Sequence, residues 1–163
     1  MRRWSTALAI TSLIAAVIAP AAFAQNLGFH GIGGRLGFVD ADGLDGAIVF
    51  GGHVDLGEIH KNLVLFPSID YFSKNKTDIL SLNGNLRYYF PSKSTVDFFA
   101  GGGLALMITN RPRGRGDNEL SLNLTGGADF SWRNNLIVTG QLIYSSELDQ
   151  IKFMAGITVL VGH

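Results

Sequence analysis

The chain has no cysteine, no excess of positive charge and, beyond its first 24 residues, no long apolar run. Without cysteine there is neither a disulfide scaffold nor a thiolate metal site, so an exported chain of this kind must be held by strand pairing and burial. Lysine plus arginine and aspartate plus glutamate each number 13, a balance that gives no footing for nucleic acid. After residue 24 no stretch of about 18 residues is free of charge or polar breaks, which excludes a membrane-spanning helix. Any spanning structure must then be a closed barrel, because lipid tolerates no open sheet edge. Helical periodicity is missing too, since no segment sustains it for about ten residues.

What is present begins with an address label. Arg2 and Arg3 supply a positive start, Ala7 to Ala19 is mostly Leu, Ile, Val and Ala, and Ala22-Phe23-Ala24 forms an A-x-A cleavage site. The apolar run falls well short of the roughly 20 residues a spanning helix needs, and Pro20 follows it at once. Residues 1–24 are therefore expected to be a cleaved secretory signal, leaving one domain over 25–163. No cysteine stands at the cleavage point to carry a lipid anchor. Loss of Arg2 and Arg3 leaves 11 basic and 13 acidic residues, a net charge near −2.

In the remaining chain, Leu120 to Trp132 alternates without a miss. Leu120, Leu122, Leu124, Gly126, Ala128, Phe130 and Trp132 interleave with Ser121, Asn123, Thr125, Gly127, Asp129 and Ser131. A strand turns successive side chains to opposite faces, so one face is oily and the other wet. That length and pattern fit a strand crossing a bilayer at a tilt. The alternation recurs between turn signals and predicts eight strands: Phe29 to Val39, Gly46 to Leu56, Leu63 to Phe72, Asp78 to Phe90, Val96 to Ile108, Leu120 to Trp132, Leu136 to Tyr144 and Ile151 to Val161. The expected fold is all-β, an eight-stranded antiparallel up-and-down transmembrane barrel. An even strand number puts both termini at the periplasmic side. Tyr88, Phe90, Phe98, Phe130 and Trp132 would then form the aromatic girdle there, with Phe38, Tyr71, Phe72 and Tyr144 at the outer side.

Eight strands enclose a space that side chains fill, so a polar plug is expected rather than an open pore. Inward positions suggest two layers: His53, Asp55, Arg87, Asp97 and Asp129 toward the periplasm, and Arg35, Asp70 and Lys152 toward the outside. Arg87 and Asp97 flank the Pro91 turn and are expected to pair across it. A second reading of the same pattern is a soluble periplasmic barrel of lipocalin type, with the oily faces turned inward onto an apolar ligand. No catalytic residue, cofactor or metal site is expected. His30, His53, His60 and His163 are scattered, and none accompanies a carboxylate and a hydroxyl as a nucleophile's base would. Asp40, Asp42 and Asp45 lack the spacing and closing glutamate of a calcium loop. Arg111, Arg113 and Arg115 alternate in the longest connection. They can meet lipopolysaccharide phosphates or simply keep the loop wet.

Asn85-Leu86-Arg87-Tyr88-Tyr89-Phe90-Pro91, followed by Asp97-Phe98-Phe99-Ala100-Gly101-Gly102-Gly103-Leu104, resembles the bacterial outer-membrane β-barrel domain group of small OmpA- and OmpX-like barrels. In that group a tyrosine-rich strand end and a short periplasmic turn precede an aromatic-Ala-Gly-x-Gly-aliphatic strand. The likeness spans the chain from residue 25 onward in architecture, through loose motifs. It implies insertion into a Gram-negative outer membrane, with lipid, lipopolysaccharide and the barrel-insertion machinery as partners, and a monomer. It carries no catalytic residues; one barrel deacylase group has a His-x-Ser-Asn signature, where this chain has Tyr71-Phe72-Ser73-Lys74. The chain also departs from the usual closing aromatic by ending Val161-Gly162-His163.

Overall fold

A computed structural model describes residues 27–41, 44–74, 77–110, 117–146 and 149–161; the expected signal segment lies outside them. The strands are β1 (Gly31–Ala41), β2 (Leu44–Asp55), β3 (Glu58–His60), β4 (Leu63–Lys74), β5 (Thr77–Tyr89), β6 (Val96–Asn110), β7 (Asp117–Arg133), β8 (Leu136–Ser145) and β9 (Gln150–Leu160). Each long strand pairs antiparallel with the next. The first and last join through a ladder from Gly31↔Leu160 to Asp40↔Ile151. Eight long strands thus close into an up-and-down barrel, and every wall strand finds partners on both sides. The Gly31↔Leu160 end of this ladder lies with the β2–β3, β5–β6 and β7–β8 connections at one end of the barrel, called proximal here. The opposite end is distal.

The one added element is β3, which lies in a segment read from sequence as a connection. Leu56 N donates to Leu65 O at 3.1 Å and Leu65 N to Gly57 O at 3.1 Å, so two residues of one strand face one of the other. Gly57, at φ 80°, bends the chain out of β2, and the three residues of β3 then fold back on β4 through Asn62 at φ 62°. Three residues are too few to show an alternation.

Burial follows the period-two rule. On β7, Leu120, Leu122 and Leu124 are 58%, 62% and 63% exposed, whereas Ser121, Asn123 and Thr125 between them are buried. The other strands repeat this: Ile48, Phe50, Leu36, Phe38, Phe153 and Ile157 stand outward around the wall. Proximally, Tyr88, Phe90, Phe98, Phe130 and Trp132 are all exposed on the outer face, with Tyr88–Phe90 and Phe130–Trp132 in edge contact. Phe38 is exposed near the distal end and Phe50 packs on Tyr71. Phe72 departs from its expected outward place. It shares parity with Asp70 and Ser68 and is buried inside.

The β2–β4 ladder is the shortest in the wall, pairing Val49–His53 with Phe72–Ser68. Leu65 directs its N–H to the β2 side, so strand alternation aims Pro67 the same way. Proline has no N–H to give, and the ladder stops one residue before it.

The outward face sets a stability test. Leu124→Arg, in the middle of β7, is expected to cost about 2–4 kcal/mol in denaturant unfolding from lipid bilayers. Val161→Arg, on the same outward face at the proximal rim, should cost under about 1 kcal/mol. Equal effects would mean that the Leu124 face does not meet hydrocarbon.

Candidate functional site

The lumen brings chemistry-bearing side chains of many strands together, and it is stratified along the barrel axis. At the distal end Val39, Ala47, Val49, Phe72, Ile79, Ile143 and Met154 form one buried apolar cluster, with Met107 also buried. These side chains close the lumen below the distal connections. Sequence reading expected polar groups at this depth and overlooked the collar. The signal was present, since Ile79, Ile143 and Met154 share the inward parity of their strands.

Beneath the collar a polar network turns about Asp70. Arg35 Nε donates to Asp70 Oδ1 at 2.7 Å and its Nη2 to Ser68 Oγ at 2.7 Å. Lys152 Nζ stands 3.8 Å from Asp70 Oδ2, and Asn83 Nδ2 donates to the same oxygen at 3.2 Å. Asn123 Nδ2 then donates to Asn83 Oδ1 at 3.0 Å, and Ser145 Oγ to Asn123 Oδ1 at 2.7 Å. The network ties β1, β4, β5, β7, β8 and β9. Asp70 is fully buried, so its charge is held by these donors alone. Room for it comes from Gly51 on the neighbouring strand, where a Cβ would fall on the Asp70 carboxylate and the Ile69 carbonyl.

The proximal layer is a stack of rings and cations lying across the lumen. The His53 ring lies 4.6 Å from Phe66, nearly parallel to it. Arg87 Cζ sits 3.3 Å over the Phe66 ring and 4.4 Å from the Phe99 ring, and Phe99 meets Tyr89 at 5.5 Å. Tyr89 donates its hydroxyl to Asp129 at 2.6 Å, and Thr139 does likewise at 2.6 Å. Arg87 Nη2 donates to Gln141 Oε1 at 2.5 Å, and His53 Nε2 shares a hydrogen bond of 2.7 Å with Thr158 Oγ1. A desolvated guanidinium over an aromatic face gains about 2 kcal/mol or more. The stack therefore supplies part of what water would have given Arg87.

Of the eight charged or imidazole residues expected inside, Arg35, His53, Asp70, Arg87, Asp129 and Lys152 are buried there. Asp55 and Asp97 are half-buried. Asp55 Oδ1 accepts from Gly57 N at 2.8 Å at the proximal turn. The expected Arg87–Asp97 pair does not form. The ladder sets Tyr89 opposite Phe99 and Arg87 opposite Gly101, so the hairpin turns about residue 94 rather than 92 and Asp97 lies opposite Asp129. Phe66, Phe99, Tyr89 and Gln141, which hold Arg87 and Asp129 in place, were not singled out from sequence. Phe99 at least was legible, having the parity of Asp97 and Gly101. Arg111, Arg113 and Arg115 lie outside the described residues, as does Asp42, one of the three aspartates weighed for calcium.

A closed eight-stranded sheet with an apolar outer wall and a charged lumen defines the class of small outer-membrane β-barrels. No family model matches the chain, and no curated protein matches it in sequence. Among solved structures it is similar to neisserial surface protein A, with TM-score 0.62 and 15% identity over 82% of this chain and 96% of that one. The attachment invasion locus protein Ail of Yersinia pestis gives TM-score 0.58 and 15% identity over 82% and 97%. The outer-membrane enzyme PagL gives TM-score 0.50 and 13% identity over 78% and 97%. The fold is that of small eight-stranded outer-membrane barrels.

Two outcomes test the lumen. Asp70→Ala leaves Arg35 and Lys152 buried without an anion and is expected to cost about 3–5 kcal/mol, whereas replacing all three by apolar residues of similar volume should cost far less. In planar bilayers the wild-type barrel is expected to pass no steady current. Replacing Phe72, Ile79 and Ile143 together with serine should wet the collar and give unitary openings. Large, steady channels in the wild type would refute the plug.

Proposed function

We propose that this chain is an integral protein of the bacterial outer membrane with a structural or surface-interaction role, its lumen closed by side chains. The observation that carries this reading is the direction of the two faces. Large apolar side chains ring the outside at every wall strand, while Arg35, Asp70, Arg87, Asp129 and Lys152 are buried. In water such a surface would be one continuous apolar patch, far beyond what a soluble monomer exposes. The soluble, lipocalin-like alternative requires the reverse arrangement, and Leu120, Leu122 and Leu124 outside with Asp70 inside overturn it.

In this reading the proximal end faces the periplasm. Tyr88, Phe90, Phe98, Phe130 and Trp132 form the girdle at that interface, where amphipathic or aromatic rings settle. In sequence Arg111, Arg113 and Arg115 fall between β6 and β7, whose adjoining ends are distal, and guanidinium groups pair well with lipopolysaccharide phosphates. The barrel acts as a monomer after delivery by the insertion machinery.

We read the protein as non-enzymatic. His53 is committed to Thr158 and Phe66 deep in the wall, and His30 turns its Nδ1 to the Gly28 carbonyl at 3.1 Å. Neither is placed to activate a nucleophile at a lipid interface. The likeness to PagL concerns the fold.

Cell fractionation followed by detergent extraction tests the placement. The expected result is recovery with outer membranes and a band that migrates differently before and after boiling, as a barrel that resists detergent until heated should. Recovery in the soluble periplasmic fraction would end the membrane reading.

A further inference from the structure

The deeply buried charges of the lumen do not balance. Among the described residues with less than a tenth of their surface exposed there are three cations, Arg35, Arg87 and Lys152, and two carboxylates, Asp70 and Asp129. Arg35 and Lys152 share Asp70. Asp129 accepts from two neutral hydroxyls, those of Tyr89 and Thr139. Arg87 is thus left without a carboxylate in ion-pair contact, though it is only 2% exposed.

Its hydrogen bonds are incomplete in the same sense. Nη2 reaches Gln141, but Nε and Nη1 meet no acceptor, and neither do Arg35 Nη1 nor His53 Nδ1. A Cβ on Gly156 would meet both Arg35 and the His53 ring, and His53 and Arg87 both lie against Phe66, so these groups share one region of the lumen; Asp129 and Tyr89 also act on Arg87, Asp129 from beyond ion-pair contact. A guanidinium carries donors and no acceptor. A buried donor left unmade costs about 1–3 kcal/mol, and more when charged. Water would bring lone pairs but also two protons to a region rich in donors. A ligand that accepts and does not donate, and carries one negative charge, answers both shortfalls.

We propose that the lumen binds a small monovalent anion of the halide class at the free edge of Arg87, between the Arg87 and Arg35 levels. Its size is limited by Phe66 and Phe99, whose ring centroids lie 3.3 Å and 4.4 Å from Arg87 Cζ and crowd the guanidinium. The apolar collar closes the distal route. At the proximal mouth Asp97 and Asp129 are Cα partners across β6–β7, which sets negative charge between the site and bulk solvent. The anion therefore enters as the barrel forms and exchanges slowly afterwards.

The test is to refold the full chain into detergent in sodium bromide and, separately, in sodium gluconate at equal ionic strength. Crystals from the bromide sample should show an anomalous peak within hydrogen-bonding reach of Arg87 Nε or Nη1. The midpoint of the heat-induced gel shift should be higher in bromide than in gluconate, by on the order of 3 °C. Arg87→Met, which keeps an unbranched chain beside the two rings, should abolish that difference. A lumen without an anomalous peak, equal midpoints in the two salts, or a difference that survives in Arg87→Met would each overturn the proposal. Should Arg87→Met fail to fold, the anomalous map of the wild type decides.

Discussion

Closure of the sheet is the constraint on which everything else in this molecule rests. A strand in hydrocarbon cannot leave its N–H and C=O groups unpaired, because each unmet group costs several kcal/mol and no water is at hand. The β1–β9 ladder removes the last free edge. Once the ring is shut, each residue has only two places to point, and period two assigns them in turn. The oily face must go to lipid, and the wet face must find its partners inside. The strand count then fixes how wide that inside can be.

A narrow lumen makes demanding chemistry of its polar side chains. Each charge there is desolvated, and its compensation has to come from groups on other strands. Asp70 achieves this with Arg35, Lys152 and Asn83. Arg87 takes a different route, through two aromatic faces and one amide oxygen. The two solutions sit at different heights, and the distal end dispenses with polarity altogether. The lumen runs from an apolar collar at the distal end, past its buried cations, to a pair of aspartates at the proximal mouth, a layout suited to holding the wall in register rather than to passing ions.

Much of the fold is legible in the amino-acid sequence. All eight wall strands stand where alternation and turn residues put them, because the membrane enforces that alternation on nearly every residue. Alternation is thinnest in β1, where Gly31, Gly33, Gly34 and Gly37 leave few side chains to carry it. A Cβ at Gly33 would overlap the His53 ring, and one at Gly37 would meet Met154 and the Phe153 carbonyl. Positions that must stay empty for a neighbour's side chain carry no pattern of their own. Contacts across the lumen were far harder to read. His53 and Thr158 are 105 positions apart, and Arg87 and Gln141 are 54 apart. Parity says which residues point inward but not which of them share a height, since height depends on the register of every ladder between them. The mistaken Arg87–Asp97 pairing came from a hairpin centre misplaced by two residues, enough to move a side chain four places along its partner.

Pro67 gives the wall a direction of weakness. The seam that joins the two ends of the chain runs over ten residue pairs, whereas the β2–β4 ladder runs over five and stops beside a residue that cannot donate. The β1–β9 seam brings together the most distant strands of the chain, and loop-closure entropy makes such contacts slow to form. The weaker ladder joins strands that are close in sequence, so it can reform quickly after breaking. On that asymmetry, breathing of the finished barrel should begin at β2–β4, a local zip whose reclosure requires no search, with the costly long-range seam staying shut.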